Sequence, residues 1–255
     1  MPLESFVDDI RTQGYSIVPG ILPPDFVDRC KPQLMAAIEA ETRLPHHNSK
    51  DFAMVLLCSL YGGAFLELFT IQKLLDHINA ALGEGSIVYA FTSSSMPPRS
   101  ANYSARIHVD CPRIIPGYMT NLGVMITLDD FTEDNGATWF LPGSHERPDP
   151  PSEEEFFANA RRVIAPAGAG WFFNARLWHY GGHNHTDQWR HALTINMARP
   201  WMKQRIDIPR AMADMDLSPW PESVRQKLGF LAQVPASYDE YYAPPERRKF
   251  RQKYE

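Results

Sequence analysis

Apolar residues recur with helical spacing in the first third of the chain and with strand spacing through its middle. Leu3, Phe6, Val7 and Ile10 mark one face of a helix that Gly14 stops. Tyr15 to Val18 reads as a short strand before Pro19-Gly20. Pro23-Pro24-Asp25 opens a second helix to about Glu41, with Phe26, Leu34, Ala37 and Ile38 as its buried positions. Pro32 inside it predicts a kink or a later start, because proline lacks the amide donor and crowds the preceding turn. Leu44 to Asp51, with His46 and His47, reads as a polar loop. Ala64 to Leu82 carries the strongest helical pattern, ended by Gly83.

From Ser86 the pattern becomes extended. Ile87 to Phe91, Tyr103 to Asp110, Gly123 to Leu128, Ala137 to Leu141, Val163-Ile164, Trp171 to Phe173 and Ala192 to Ala198 read as strands. Trp171 to His179 reads as one apolar strand closing on a histidine. Asn135-Gly136 between two apolar runs predicts a hairpin turn. Ser152 and Glu155 have capping-box spacing, so a short helix is expected to about Arg162. Ser218-Pro219 opens a terminal helix that Gly229 ends. Helices first and many short strands later predict a mainly β fold with flanking α-helices, built on a two-sheet jelly roll.

Composition narrows the function. A net charge of -5 argues against nucleic acid as a partner, since such a binder needs a basic surface. No apolar run approaches the ~20 residues of a membrane span, and the acidic start is no secretory signal. Three widely spaced cysteines, Cys30, Cys58 and Cys111, fit a reduced cytoplasmic protein better than a disulfide framework.

His108 and Asp110 stand two apart in an expected strand, so both side chains leave from one face. Alone, the pair equally describes a satisfied strand histidine beside a surface aspartate. His145, His183, His185 and His191 compete with His179 for the place of a second imidazole ligand. His183 and His185 lie in a solvated turn, His145 in a loop, and His191 has the parity opposite to Arg190. His179 ends an apolar run, where a rigid ligand belongs. Two histidines, a carboxylate and the downstream Arg190 suggest a mononuclear iron site with room for an acidic co-substrate. Arg190, Ala192, Thr194 and Asn196 share a face that looks like a small-lined interior. Cys111 has the wrong parity for a ligand and is expected as packing.

His108-x-Asp110, Asp134-Asn135-Gly136-Ala137-Thr138, Leu141-Pro142-Gly143-Ser144-His145 and Arg176-Leu177-Trp178-His179 with Gly181-Gly182 together resemble the phytanoyl-CoA dioxygenase family. The likeness covers roughly residues 86 to 200. It implies a double-stranded β-helix, or cupin-like core, and an Fe(II)/2-oxoglutarate-dependent oxygenase. It further implies His108, Asp110 and His179 as iron ligands, Arg190 as the partner of the co-substrate's distal carboxylate, and a Thr138 hydroxyl offered to 2-oxoglutarate. Fe(II), 2-oxoglutarate and O2 are the cofactor and co-substrates so implied, with succinate and CO2 released. Retention of Asp110 favours hydroxylation or a related C–H oxidation over halogenation. Ala105 stands where many relatives carry glutamine, and Gly181 where many carry a hydroxyl residue.

On this reading residues 1–255 form a single oxygenase domain, with helices over 1–85 buttressing a β core over 86–200 and a helical extension over 201–255. The substrate is expected to be a small-molecule metabolite, in a biosynthetic setting. Tyr103, Arg106, Arg113, Asn121 and Asn196 are candidates to contact it, as is Tyr118, although each also reads as packing or surface charge. The 97–102 loop is a candidate lid, and the N-terminal helices a candidate homo-oligomer interface. Two alternatives stand beside the oxygenase: a non-catalytic jelly-roll ligand-binding module, and a cupin-type metalloenzyme that does not use 2-oxoglutarate.

Overall fold

The computed structural model describes residues 2–45 and 53–250; most of the expected polar loop, including His46 and His47, lies outside the described residues. Helix α1 (Leu3–Thr12) and strand β1 (Tyr15–Val18) follow the predicted pattern. Gly14 joins them at φ +80°, and an added Cβ would lie 2.5 Å from the His145 ring, so both backbone and space demand glycine. Helix α2 (Pro24–Thr42) runs through Pro32 without interruption, burying Phe26, Leu34 and Ala37. The single helix expected over 64–82 is instead three pieces. These are α3 (Ala64–Glu67), a 3₁₀ turn (Leu68–Thr70) and α4 (Gln72–Leu82), with Ile71 extended between the last two. The Thr70 hydroxyl donates to the Glu67 carbonyl at 2.7 Å, the local competition that disfavours a continuous ladder.

The middle of the chain supplies β2 (Ile87–Ser93), β3 (Asn121–Thr127), β4 (Trp139–Phe140), α5 (Glu153–Asn159), β5 (Arg161–Arg162), β6 (Gly170–Asn174), β7 (His179–Tyr180) and β8 (Ala192–Ala198). Two antiparallel sheets result, one ordered β1-β6-β3-β8-β2 and the other β5-β4-β7. Period-two alternation sorts the side chains. Leu193, Ile195 and Met197 of β8, with Leu122, Val124 and Ile126 of β3, face the helices in a cluster reaching from Phe6 to Leu228. Ala192, Met125, Trp171 and Phe173 face the other way and meet Phe140 of the smaller sheet. The rings of Trp171 and Phe173 stack 4.0 Å apart there, and truncating either buried ring is expected to cost about 3–5 kcal/mol. The architecture is a jelly roll of antiparallel sheets with flanking helices. Helix exceeds strand in residue count, 32% against 19%, so "mainly β" describes the core and not the whole chain.

Several sequence expectations change here. Tyr103 to Asp110 is not a strand. Asn102 Oδ1 accepts from the Ser104 amide and hydroxyl, curling the chain, and only His108 bridges to another segment. Asn135-Gly136 does not close a hairpin, because β3 and β4 belong to different sheets; the turn carries the chain from one to the other. The run from Trp171 to His179 is broken after Asn174, and His179 belongs to the smaller sheet. The Ser152 hydroxyl does accept from the Glu155 amide, but α5 ends at Asn159 and the next strand is Arg161–Arg162, before Val163. The C-terminal segment holds α6 (Ile208–Ala211), α7 (Glu222–Lys227) and α8 (Tyr238–Tyr241). The helix ended by Gly229 thus starts at Glu222, later than Ser218.

Candidate metal centre

His108, Asp110 and His179 each offer one donor atom, and these atoms all lie within 4.8 Å of one another. Asp110 Oδ1 is 3.7 Å from His108 Nε2 and 3.8 Å from His179 Nε2. Main-chain bonds build the cluster. His108 and His179 exchange N–H···O bonds of 2.9 Å in both directions, and the Asp110 amide donates to the Ala175 carbonyl at 2.9 Å. The turn after β6 thus holds both ends of the His-x-Asp segment.

The tautomers follow from the partners. His108 Nδ1 lies 2.8 Å from the Arg106 carbonyl, and His179 Nδ1 lies 2.9 Å from the Leu177 carbonyl. A carbonyl only accepts, so each Nδ1 carries a proton, and Nε2 is the ring atom turned toward Asp110. Burial, and then the neighbouring His179, push the His108 pKa down to about 4, which keeps its imidazole neutral at ordinary pH. Two imidazoles and one carboxylate are the donor set of a facial mononuclear iron site, so these residues fit such an ion.

Arg190 is 1% exposed. Its Nη1 donates to the Ser94 carbonyl at 3.1 Å and its Nη2 to the Gly136 carbonyl at 2.9 Å. The guanidinium lies over the Phe131 ring at 4.2 Å, and its Nε has no partner. Among the described residues it forms no ion pair. Burial lowers its pKa to about 10, so it remains a cation. Asp129 acts on it electrostatically without pairing with it directly, and a desolvated cation held that loosely is costly unless a closer anion completes it. Thr138, two residues after Gly136, is buried, its hydroxyl directed at the Met125 sulfur 3.7 Å away.

A pocket of about 910 Å³ opens over His108 and Asp110. Of the expected substrate contacts, Tyr103 and Arg106 line it, and the 97–102 loop forms one wall. Arg113 is exposed and does not line it. Asn121 and Asn196 are buried against each other, Nδ2 to Oδ1 at 2.9 Å, rather than in the pocket wall. Tyr118 instead stacks with Trp201 at 6.5 Å. Sequence reasoning missed Thr92, near the end of β2, and Arg205 and Met54, which come from segments without a recurring pattern; all three also line the pocket. Gly181 has a local reason: an added Cβ would lie 2.0 Å from Ser104 Oγ, so the serine hydroxyl occupies that space.

The rival histidines lie elsewhere. His145 Nε2 meets the Arg11 carbonyl at 3.1 Å, and His183 and His185 stack on each other in an exposed turn. His191 Nδ1 meets Ser95 Oγ at 2.8 Å on the face opposite Arg190. Cys111 is buried, 3.6 Å from Thr120 Oγ1. Among the described residues no helix is long and apolar enough to cross a membrane.

A jelly roll carrying this donor cluster defines a non-haem oxygenase of the Fe/2-oxoglutarate type. The profile of the phytanoyl-CoA dioxygenase family matches residues 10–192, and the chain belongs to that family. It is 30% identical to an uncharacterised protein of Mycobacterium tuberculosis, over 98% of this chain and 94% of that one. It is 24% identical to the multifunctional dioxygenase AusE of Penicillium brasilianum, over 74% and 70% of the two chains. Among solved structures, the non-haem monooxygenase ThoJ superposes with a TM-score of 0.66 at 20% identity, over 79% of this chain and 80% of that one. SnoN, a non-haem α-ketoglutarate-dependent epimerase from nogalamycin biosynthesis, gives 0.63 at 22% identity, over 77% and 82%.

Proposed function

We propose that His108, Asp110 and His179 hold a ferrous ion, that Arg190 binds the distal carboxylate of 2-oxoglutarate, and that the enzyme oxidises an unactivated C–H bond of a small molecule. The observation that carries this reading is the convergence of both Nε2 atoms on Asp110 Oδ1, each ring held by a carbonyl behind it. Bound ferrous iron would supply oxygen activation, coupled to decarboxylation of 2-oxoglutarate to succinate and CO2.

The chain's own residues set the conditions for that chemistry. Main-chain pairing of His108 with His179 pre-positions the ligands, so metal binding need not order them. Arg190 offers a planar fork, already desolvated, which suits a carboxylate better than a lysine ammonium. Trp171 and Phe173 pack edge-on against His179, at 6.0 and 5.2 Å between ring centroids, and exclude water from behind the ligand. With Asp110 in place, the carboxylate fills the third protein ligand position, which favours hydroxylation or a related C–H oxidation over halogenation. The pocket volume suits a small-molecule substrate.

Succinate release with O2 and added Fe(II) tests the reading. The wild type should convert 2-oxoglutarate to succinate, and His179→Ala should not. Oxidation of a substrate without succinate release would point to a metalloenzyme that makes no use of 2-oxoglutarate.

A further inference from the structure

Two guanidinium groups face the 910 Å³ pocket from different parts of the chain, Arg106 just before the first ligand and Arg205 in the segment after β8. Both are exposed within it. Among the described residues neither forms an ion pair, and neither side chain donates a hydrogen bond to protein. Several arginines elsewhere on the chain are instead held by carboxylates: Arg29 by Glu67, Arg99 by Asp187 and Arg147 by Glu155. Arg205 lines the same pocket as Asp110 and acts electrostatically on the Tyr103 phenol. Among the described residues Asp110 is the only carboxylate in the pocket lining. Two guanidinium groups against one carboxylate leave that described lining net positive even before a metal binds, on a chain whose net charge is -5. Field lines in a recessed, partly apolar pocket concentrate such charge and attract anions.

We propose that this pocket selects an anionic substrate, a carboxylate or phosphate ester, gripped by Arg106 and Arg205 while its apolar part lies along Met54, Pro97 and Val109. Planar guanidinium forks match both oxyanions, so the shared chemistry is an organic anion. Tyr103 would border the anion: its hydroxyl is engaged with the Ser93 carbonyl at 3.3 Å, leaving the ring face as a wall. The proposal rests on the oxygenase reading for which end of the substrate is oxidised, but the anion grip itself needs neither iron nor 2-oxoglutarate.

Binding of phenyl phosphate and of benzoate to the full-length protein, with benzyl alcohol as the uncharged control, tests it by calorimetry without metal. Both anions should bind and the alcohol should bind much more weakly; which anion binds tighter distinguishes the two ester classes. The double variant Arg106→Gln/Arg205→Gln should lose about tenfold or more in affinity, whereas Arg190→Gln should keep the probe. Equal binding of the alcohol, or an unchanged affinity in the double variant, would overturn the proposal. So would loss of the probe in Arg190→Gln alone, because the anion would then be occupying the place assigned to 2-oxoglutarate. Failure of succinate release with anion binding intact would instead overturn the oxygenase reading.

Discussion

His108 and His179 are joined by a reciprocal pair of main-chain hydrogen bonds, 2.9 Å in each direction, with their rings 4.1 Å apart. The two imidazoles are therefore positioned by backbone, which leaves their Nε2 atoms available to a metal. His108→Ala and His179→Ala should each lower Fe(II) affinity by more than the about 10–100-fold that outer-sphere partners cost. Their far-UV circular dichroism should stay unchanged, because the bridge does not use the rings. Anaerobic metal titration beside the spectrum checks both halves; a collapsed spectrum would show that the rings hold the fold.

Arg190 is a buried cation held by two carbonyls, and among the described residues it forms no ion pair. In Arg190→Gln the KM for 2-oxoglutarate should rise about 10- to 100-fold. 2-Oxoglutarate should raise the Tm of the wild type, as any ligand of the native state does, and leave that of the variant unmoved. An equal thermal shift in both proteins would place the co-substrate elsewhere.

Ser104 and Gly181 share one space. Gly181→Ala should destabilise, because its Cβ would lie 2.0 Å from Ser104 Oγ. In Ser104→Ala the nearest atoms retreat to 3.1 Å, so the same change should cost much less there. Urea denaturation of the four proteins forms the cycle, with an expected coupling on the order of 1 kcal/mol or more. Additive costs would mean that the chain relaxes away from the contact.

The interior face of β8 was legible from its alternation, and so was the convergence of His108, Asp110 and His179, although for a partly mistaken reason. The argument from strand parity placed His108 and Asp110 on one face, yet the segment is curled by Asn102 and pinned by the Ala175 carbonyl. Convergence comes from these turns, which period-two reasoning does not describe. His179 was likewise expected at the end of a strand that breaks at Asn174. The break at Ile71 left no apolar signature, since Leu68 and Phe69 stay buried through it. Arg205 was illegible because an isolated arginine after the last strand looks the same whether it faces solvent or a pocket.

His191 carries a pH prediction. Burial holds its pKa at about 4 against 6.5 unfolded, with Asp129 opposing the shift. Between those values the unfolded chain binds the proton and the native one does not, so stability falls as pH drops from about 6.5 to about 4. The loss should be on the order of 2–3 kcal/mol. Urea midpoints at pH 7 and pH 5 should differ less in His191→Gln than in wild type; an identical difference would exclude this residue as the source.

The assembled site is tested most directly by anaerobic absorption spectroscopy of the protein with Fe(II). Adding 2-oxoglutarate to the wild type should produce a weak visible metal-to-ligand band that is absent in Asp110→Ala and appears only at much higher 2-oxoglutarate in Arg190→Gln. A wild-type protein that binds Fe(II) and 2-oxoglutarate without the band, or an Asp110→Ala variant that keeps it, would contradict the account.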